Sequence, residues 1–141
     1  MRLAVAPFEP VTVDQVVRRA IFLARVHPAQ AVSVAGPDGL EAMLALSRAG
    51  FDQVAFARRA IGAADASDVL LIAGPMSRSD LAATVGRTAR LLRAGGALVV
   101  QLAHPADDAQ VRAALAEQGM AIAGSRFDVA AGWLVAHRVE R

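Results

Sequence analysis

Two rhythms alternate along the chain. Short runs that are apolar on both faces occupy residues 31–35 (AVSVA), 68–73 (DVLLIA) and 97–102 (ALVVQL). Runs of that length and make-up predict strands buried inside a sheet. Between them lie stretches with apolar residues three and four apart, which predict amphipathic helices. The first helix opens at Thr12, with Gln15 three residues on as a capping box, and buries Val13, Val16, Val17, Ala20 and Ala24. Arg18, Arg19 and Arg25 lie on its other faces, and Pro28 is expected to stop it. Phe22 and Val26 point away from the main stripe. Either the N-terminal arm covers them or they form a partner surface.

The strand at 31–35 runs into the turn Gly36-Pro37-Asp38-Gly39. A helix follows with Leu40, Met43, Leu44 and Ser47 as its expected inner face and Gly50 just past its end. Residues 51–57 predict a second strand with Val54 and Phe56 alternating, and Arg58-Arg59 at its carboxyl end. Residues 60–67 are too few for a full helix and another strand. After the strand at 68–73, Ser79 is the expected cap of a helix burying Leu81, Val85, Thr88 and Leu92, with Arg87 and Arg90 facing water. Gly95-Gly96 should end it and admit the strand at 97–102. Asp107 and Asp108 open a further helix carrying Val111, Ala114 and Leu115, which Gly119 stops. Residues 120–129 and 133–139 then predict an antiparallel hairpin at the sheet edge, because the connection is so short.

Strands alternating with helices in this order predict an α/β, three-layer Rossmann-like sandwich. Its sheet is mostly parallel with a C-terminal antiparallel hairpin, and the whole of 1–141 forms a single domain. The 141 residues suit one core.

Composition narrows the chemistry. The hydrophobic fraction is 55% and the mean hydropathy is +0.41. That is high for a soluble monomer and points to a protein partner or a homo-oligomer. No apolar run reaches the roughly 18 residues that span a bilayer, and residues 1–8 lack the apolar core of a signal peptide. A cytoplasmic location without membrane contact is expected. Without cysteine, disulfides and thiolate metal sites are excluded, and His27, His104 and His137 are too scattered for a metal motif. The sequence pI of 10.9 reflects a chain whose 15 basic residues are all arginine. The net charge is only +2, which argues against nucleic acid as a partner.

Three stretches carry a resemblance to a known family. AVSVAGPDG is a strand, a glycine turn and a helix start. SDVLLIAG has an aspartate ahead of an apolar strand, and LLRAGGALVVQL has a glycine pair ahead of another. In this order, over residues 13–139, the chain resembles the class I S-adenosylmethionine-dependent methyltransferases in degenerate, shortened form, with the family's third strand missing. The resemblance makes Gly36, Asp38, Gly39 and Asp65 the candidate cofactor-binding residues.

The chain also departs from that family. The first motif keeps only Gly36 and Gly39, while Pro37 removes a backbone donor and Asp38 adds a carboxylate. In place of the acid that grips the cofactor's ribose stand Ala57-Arg58-Arg59. The family's catalytic loop after the fourth strand is here Gly74-Pro75-Met76-Ser77.

Three functions are therefore open. The first is a non-catalytic methyltransferase-like domain serving as a protein-interaction or assembly module, with Phe22, Val26 and Trp133 as interface candidates and no cofactor. The second is a small active enzyme using S-adenosylmethionine. The third is a binder of an anionic, nucleotide-like ligand held by Arg58, Arg59 and Arg78. No catalytic residue is assigned. His104 would be the only general-base candidate, and a lone loop histidine carries little weight.

Overall fold

The computed structural model describes residues 12–57, 66–120, 122–128 and 133–139. Helix α1 (Val13–Ala24) begins with the expected capping box: Thr12 Oγ1 accepts from Gln15 N–H, and Gln15 Oε1 accepts from Thr12 N–H. It ends three residues before Pro28 is reached. Arg25 takes a left-handed conformation (φ 53°), and the Val26 N–H returns to the Ile21 carbonyl at 3.1 Å. That closing motif carries an apolar residue back under the helix. Val26 is accordingly packed against the core rather than presented as an interface.

Strand β1 (Val32–Ala35) feeds α2 (Gly39–Arg48), then β2 (Val54–Phe56) and β3 (Ser67–Ile72). Helix α2 rests on the sheet by Ala42, Ala45 and Leu46, not by the expected Leu40, Met43, Leu44 and Ser47. Both stripes satisfy helical spacing. The one with two alanines lets the helix axis approach the strands, and it leaves Leu40 and Leu44 about half exposed, at 54% and 52%.

Helix α3 (Arg78–Thr88) is capped by Ser77, whose Oγ accepts from Asp80 N–H at 3.2 Å. The expected cap, Ser79, lies one residue inside the helix. A 3-10 turn (Ala89–Leu91) follows, and β4 (Leu92–Gln101) starts earlier than the glycine pair suggests. Leu92 is buried as expected, but as the first residue of that strand. Residues 93–96 of β4 stand opposite Asp68 alone, between the pairs Ser67↔Leu92 and Val69↔Ala97. The glycines thus serve a bulge within β4 rather than its entry. A second 3-10 turn (Pro105–Asp107) leads to α4 (Asp108–Glu117), and β5 (Ile122–Asp128) and β6 (Trp133–Arg138) complete the chain.

The six strands lie in the order β2-β1-β3-β4-β6-β5. Strands β2, β1, β3 and β4 are parallel, and β6 runs antiparallel to both β4 and β5. The architecture is α/β with a mostly parallel sheet and a C-terminal antiparallel pair, as expected. The hairpin, however, inserts its second strand inward. Strand β6 is interior, and Trp133 at its start is fully buried beside Val99 and Val135. Trp133 is therefore a core residue and offers no interface.

Alternation along β1, β3 and β4 splits the interior into two layers. Val34, Leu71 and Val99 pack with α1 and α2 through Val17, Ala20 and Leu46. Leu70, Ile72 and Leu98 pack with α3 and α4 through Leu81, Val85, Val111 and Leu115. At the amino end of the sheet, Asp68 accepts from the Ala31 N–H at 2.8 Å and pairs with Arg93. The Ala31 hydrogen bond holds its carboxyl below the usual carboxylate range, against a smaller opposing effect of burial, and Arg93 adds to the lowering.

Candidate functional site

From β1 the chain turns to β2 on one side, while β3 pairs with β1 on the other. That reversal makes the carboxyl ends of β1 and β3 the place where open α/β sheets hold ligands. The turn 36–39 sits there. Gly36 is left-handed (φ 98°), and a Cβ on it would stand under 3.0 Å from the Ala73 carbonyl oxygen. Gly39, the first residue of α2, lies under the Phe56 ring, and a Cβ there would meet Cε1 at 2.6 Å. The Asp38 N–H donates to Ala73 O at 3.1 Å. The Asp38 side chain closes on Gly74, where an added Cβ would come within 3.0 Å of its carboxyl carbon and Oδ2. Gly36, Asp38 and Gly39 are thus brought together, with Ala73 against the Cβ side of Gly36 and the Phe56 ring against that of Gly39.

Neighbouring exit loops are laced to one another. The Gly74 N–H donates to Gln101 Oε1 at 2.8 Å, which ties the end of β3 to the end of β4. Arg78 Nε donates to Asp107 Oδ1 at 2.9 Å, and Asp107, only 2% exposed, also accepts from the His104 N–H at 3.3 Å. Arg78, itself exposed, is therefore paired with a buried carboxylate. His104 is exposed. Arg58, Arg59 and Asp65 lie outside the described residues. Phe22 is 73% exposed on α1.

Beside the turn a cleft of about 330 Å³ opens between the ends of β1 and β2 and the flank of α3. Pro37, Phe56, Met76, Asp80, Thr84 and Arg87 are among its walls. Thr84 donates its hydroxyl to the Met76 sulfur at 3.7 Å. Asp80, Thr84 and Arg87 share a face because they are spaced four and three apart on one helix. That spacing is readable in the sequence. The placement of Thr84 in a cleft wall with Phe56 is not, while Arg87 is exposed as expected. Among the described residues no group of three His, Asp or Glu side chains could hold a metal ion, and no helix is long and apolar enough to cross a membrane.

No family model matches this sequence, and no curated protein does. Solved structures match in shape. The SAM-bound amino pentose methyltransferase CalS10 of Micromonospora echinaspora superposes with a TM-score of 0.57, at 15% identity over 92% of each chain. Precorrin-6y C5,15-methyltransferase of Geobacter metallireducens gives 0.57, at 12% identity over 87% of this chain and 88% of that one. The fold is that of the class I S-adenosylmethionine-dependent methyltransferases. A third relative in shape is the 1,6-didemethyltoxoflavin-N1-methyltransferase of Burkholderia thailandensis. It is bound to S-adenosylhomocysteine and gives 0.54, at 16% identity over 90% of this chain and 80% of that one.

Ala73 O and the Phe56 ring fill the two glycine faces, the Asp38 N–H is already used, and β2 ends at Phe56 with no acid up to Ala57. The bound relatives make S-adenosylmethionine the cofactor to test, and they lend no support to the expectation that none binds.

Proposed function

We propose that the chain is a methyltransferase-like domain that transfers no methyl group and works in the cytoplasm as a protein-binding or assembly module. One observation carries this reading: in the turn 36–39 the Asp38 N–H is spent on Ala73 O, and the Cβ sides of Gly36 and Gly39 are filled by Ala73 O and the Phe56 ring. A backbone donor spent on Ala73 O is not free for a ligand, and losing one hydrogen bond to a charged group costs about 1.5–3 kcal/mol. That loss alone lowers affinity roughly tenfold to a hundredfold. The exposed Phe22, Leu40 and Leu44 support a role in contacts with other chains.

The test is isothermal calorimetry of the purified chain with S-adenosylmethionine and with S-adenosylhomocysteine. No saturable heat is expected at millimolar ligand. Saturable binding in the micromolar range would overturn the reading. It would favour instead a second one, which the cleft supports. There Phe56 and Met76 would flank an adenosine or another nucleotide-like body, with Asp80 and Arg87 at its polar ends. A Kd that rises in Arg87→Ala would place that ligand in the cleft.

A further inference from the structure

Among the described residues, the outward face of α1 at Arg18, Arg19 and Phe22 is exposed. Val17 and Ala20 turn inward and are buried, and at 100° per residue Phe22 stands opposite them. A phenylalanine in that position is normally covered, yet this one is 73% exposed. Arg19 lies over its ring, with the guanidinium carbon 5.9 Å from the centroid. Arg18 and Arg25 are both exposed and lie four residues before and three after it. The one carboxylate within the helix, Asp14, is paired with Arg48 of α2 at 3.5 Å. The face is therefore an aromatic ring bracketed by cations, on a chain whose net charge is only +2.

We infer that this face docks an acidic amphipathic helix of a partner protein. The inference rests on the binding-module reading and names that partner's chemistry. Arg18, on α1, and Arg25, the residue that closes the helix, are seven residues apart and bracket Phe22 along the chain. Carboxylates spaced seven apart on a facing helix match that separation, and an apolar side chain midway between them covers Phe22. The recognition pattern is Glu-x-x-Leu-x-x-x-Glu. Charge complementarity selects an acidic occupant. A lone apolar residue is too little for a membrane surface, and the overall charge is too small for the broad basic patch of a nucleic-acid binder.

The test is fluorescence anisotropy of the full chain with a labelled synthetic helix of Ala, Leu and Glu that carries this repeat. The expected result is saturable binding that weakens as salt rises. It should fall at least tenfold in Phe22→Ala and in Arg18→Glu/Arg25→Glu, while melting temperature and circular dichroism stay unchanged. The same peptide with Lys in place of Glu should not bind. Absence of binding by the acidic peptide overturns the inference, as does binding insensitive to Phe22→Ala. Tighter binding to phosphatidylserine vesicles or to a single-stranded oligonucleotide also overturns it. Cofactor calorimetry reads the turn at the carboxyl edge and this assay reads α1, so either proposal can fail alone.

Discussion

Gly36 and Gly50 form a matched pair for testing how the turn is built. Both are left-handed, with φ of 98° and 95°. An alanine in that region costs about 1–2 kcal/mol from its own backbone clash. At Gly50 nothing lies within 4 Å of the added Cβ, so Gly50→Ala should cost only that amount. At Gly36 the same methyl would be driven under 3.0 Å from the Ala73 carbonyl oxygen, with the Ala73 carbonyl carbon and nitrogen at 3.1 Å. These are buried backbone atoms just past the end of β3, held by the Ala73 N–H bond to Ala35 O, and cannot rotate away. The turn must lift instead, which breaks the Asp38 N–H bond to Ala73 O, about 0.5–1.5 kcal/mol, and opens the Asp38–Gly74 contact. These two costs for Gly36→Ala add to about 1.5–3.5 kcal/mol, before the lost Asp38–Gly74 contact. Equilibrium urea unfolding followed at 222 nm reads the difference. With a slope of roughly 2 kcal/mol per molar urea, the midpoint should fall by about 0.5–1 M for Gly50→Ala and, more steeply, by about 0.8–1.8 M for Gly36→Ala. Equal shifts for the two variants would refute the claim that Ala73 stands against the Cβ side of Gly36.

Asp68 gives an acid-stability prediction. Its carboxyl titrates below the ordinary value when folded, so the stabilisation it provides is complete above the unfolded pKa of about 3.9 and is lost as pH falls through the lower folded value. In Asp68→Asn that part of the acid-unfolding curve should flatten, with lower stability at neutral pH. Arg78→Ala strands the buried Asp107 carboxylate and should cost about 2–3 kcal/mol at pH 7 in urea unfolding. Ser77→Ala should cost about 1 kcal/mol and Ser79→Ala under about 0.5, measured in the same way, because only Ser77 Oγ caps α3.

Much of the architecture is written locally. The apolar runs of β1, β3 and β4 identify themselves because strands buried on both faces have no polar positions to disguise them. Thr12 and Gln15 mark the start of α1 because their two reciprocal bonds close within one turn. The carboxyl-edge turn is equally plain, since Gly36 and Gly39 permit close backbone approach whatever approaches. What approaches them is a long-range fact: Ala73 and Phe56 come from other strands, and nothing in residues 36–39 names them. The same holds for α2, where two stripes have equal periodicity and only the close fit of Ala42 and Ala45 on the sheet chooses between them. The pairing of Arg78 with Asp107 depends on two loops that meet because β3 and β4 are neighbours. The burial of Trp133 depends on β6 entering the sheet between β4 and β5. Spacing along the chain determines which residues share a helix or a strand. Which faces are covered, and by which distant side chains, is decided when the elements pack, because volume and hydrogen bonding must then be satisfied across the whole sandwich at once.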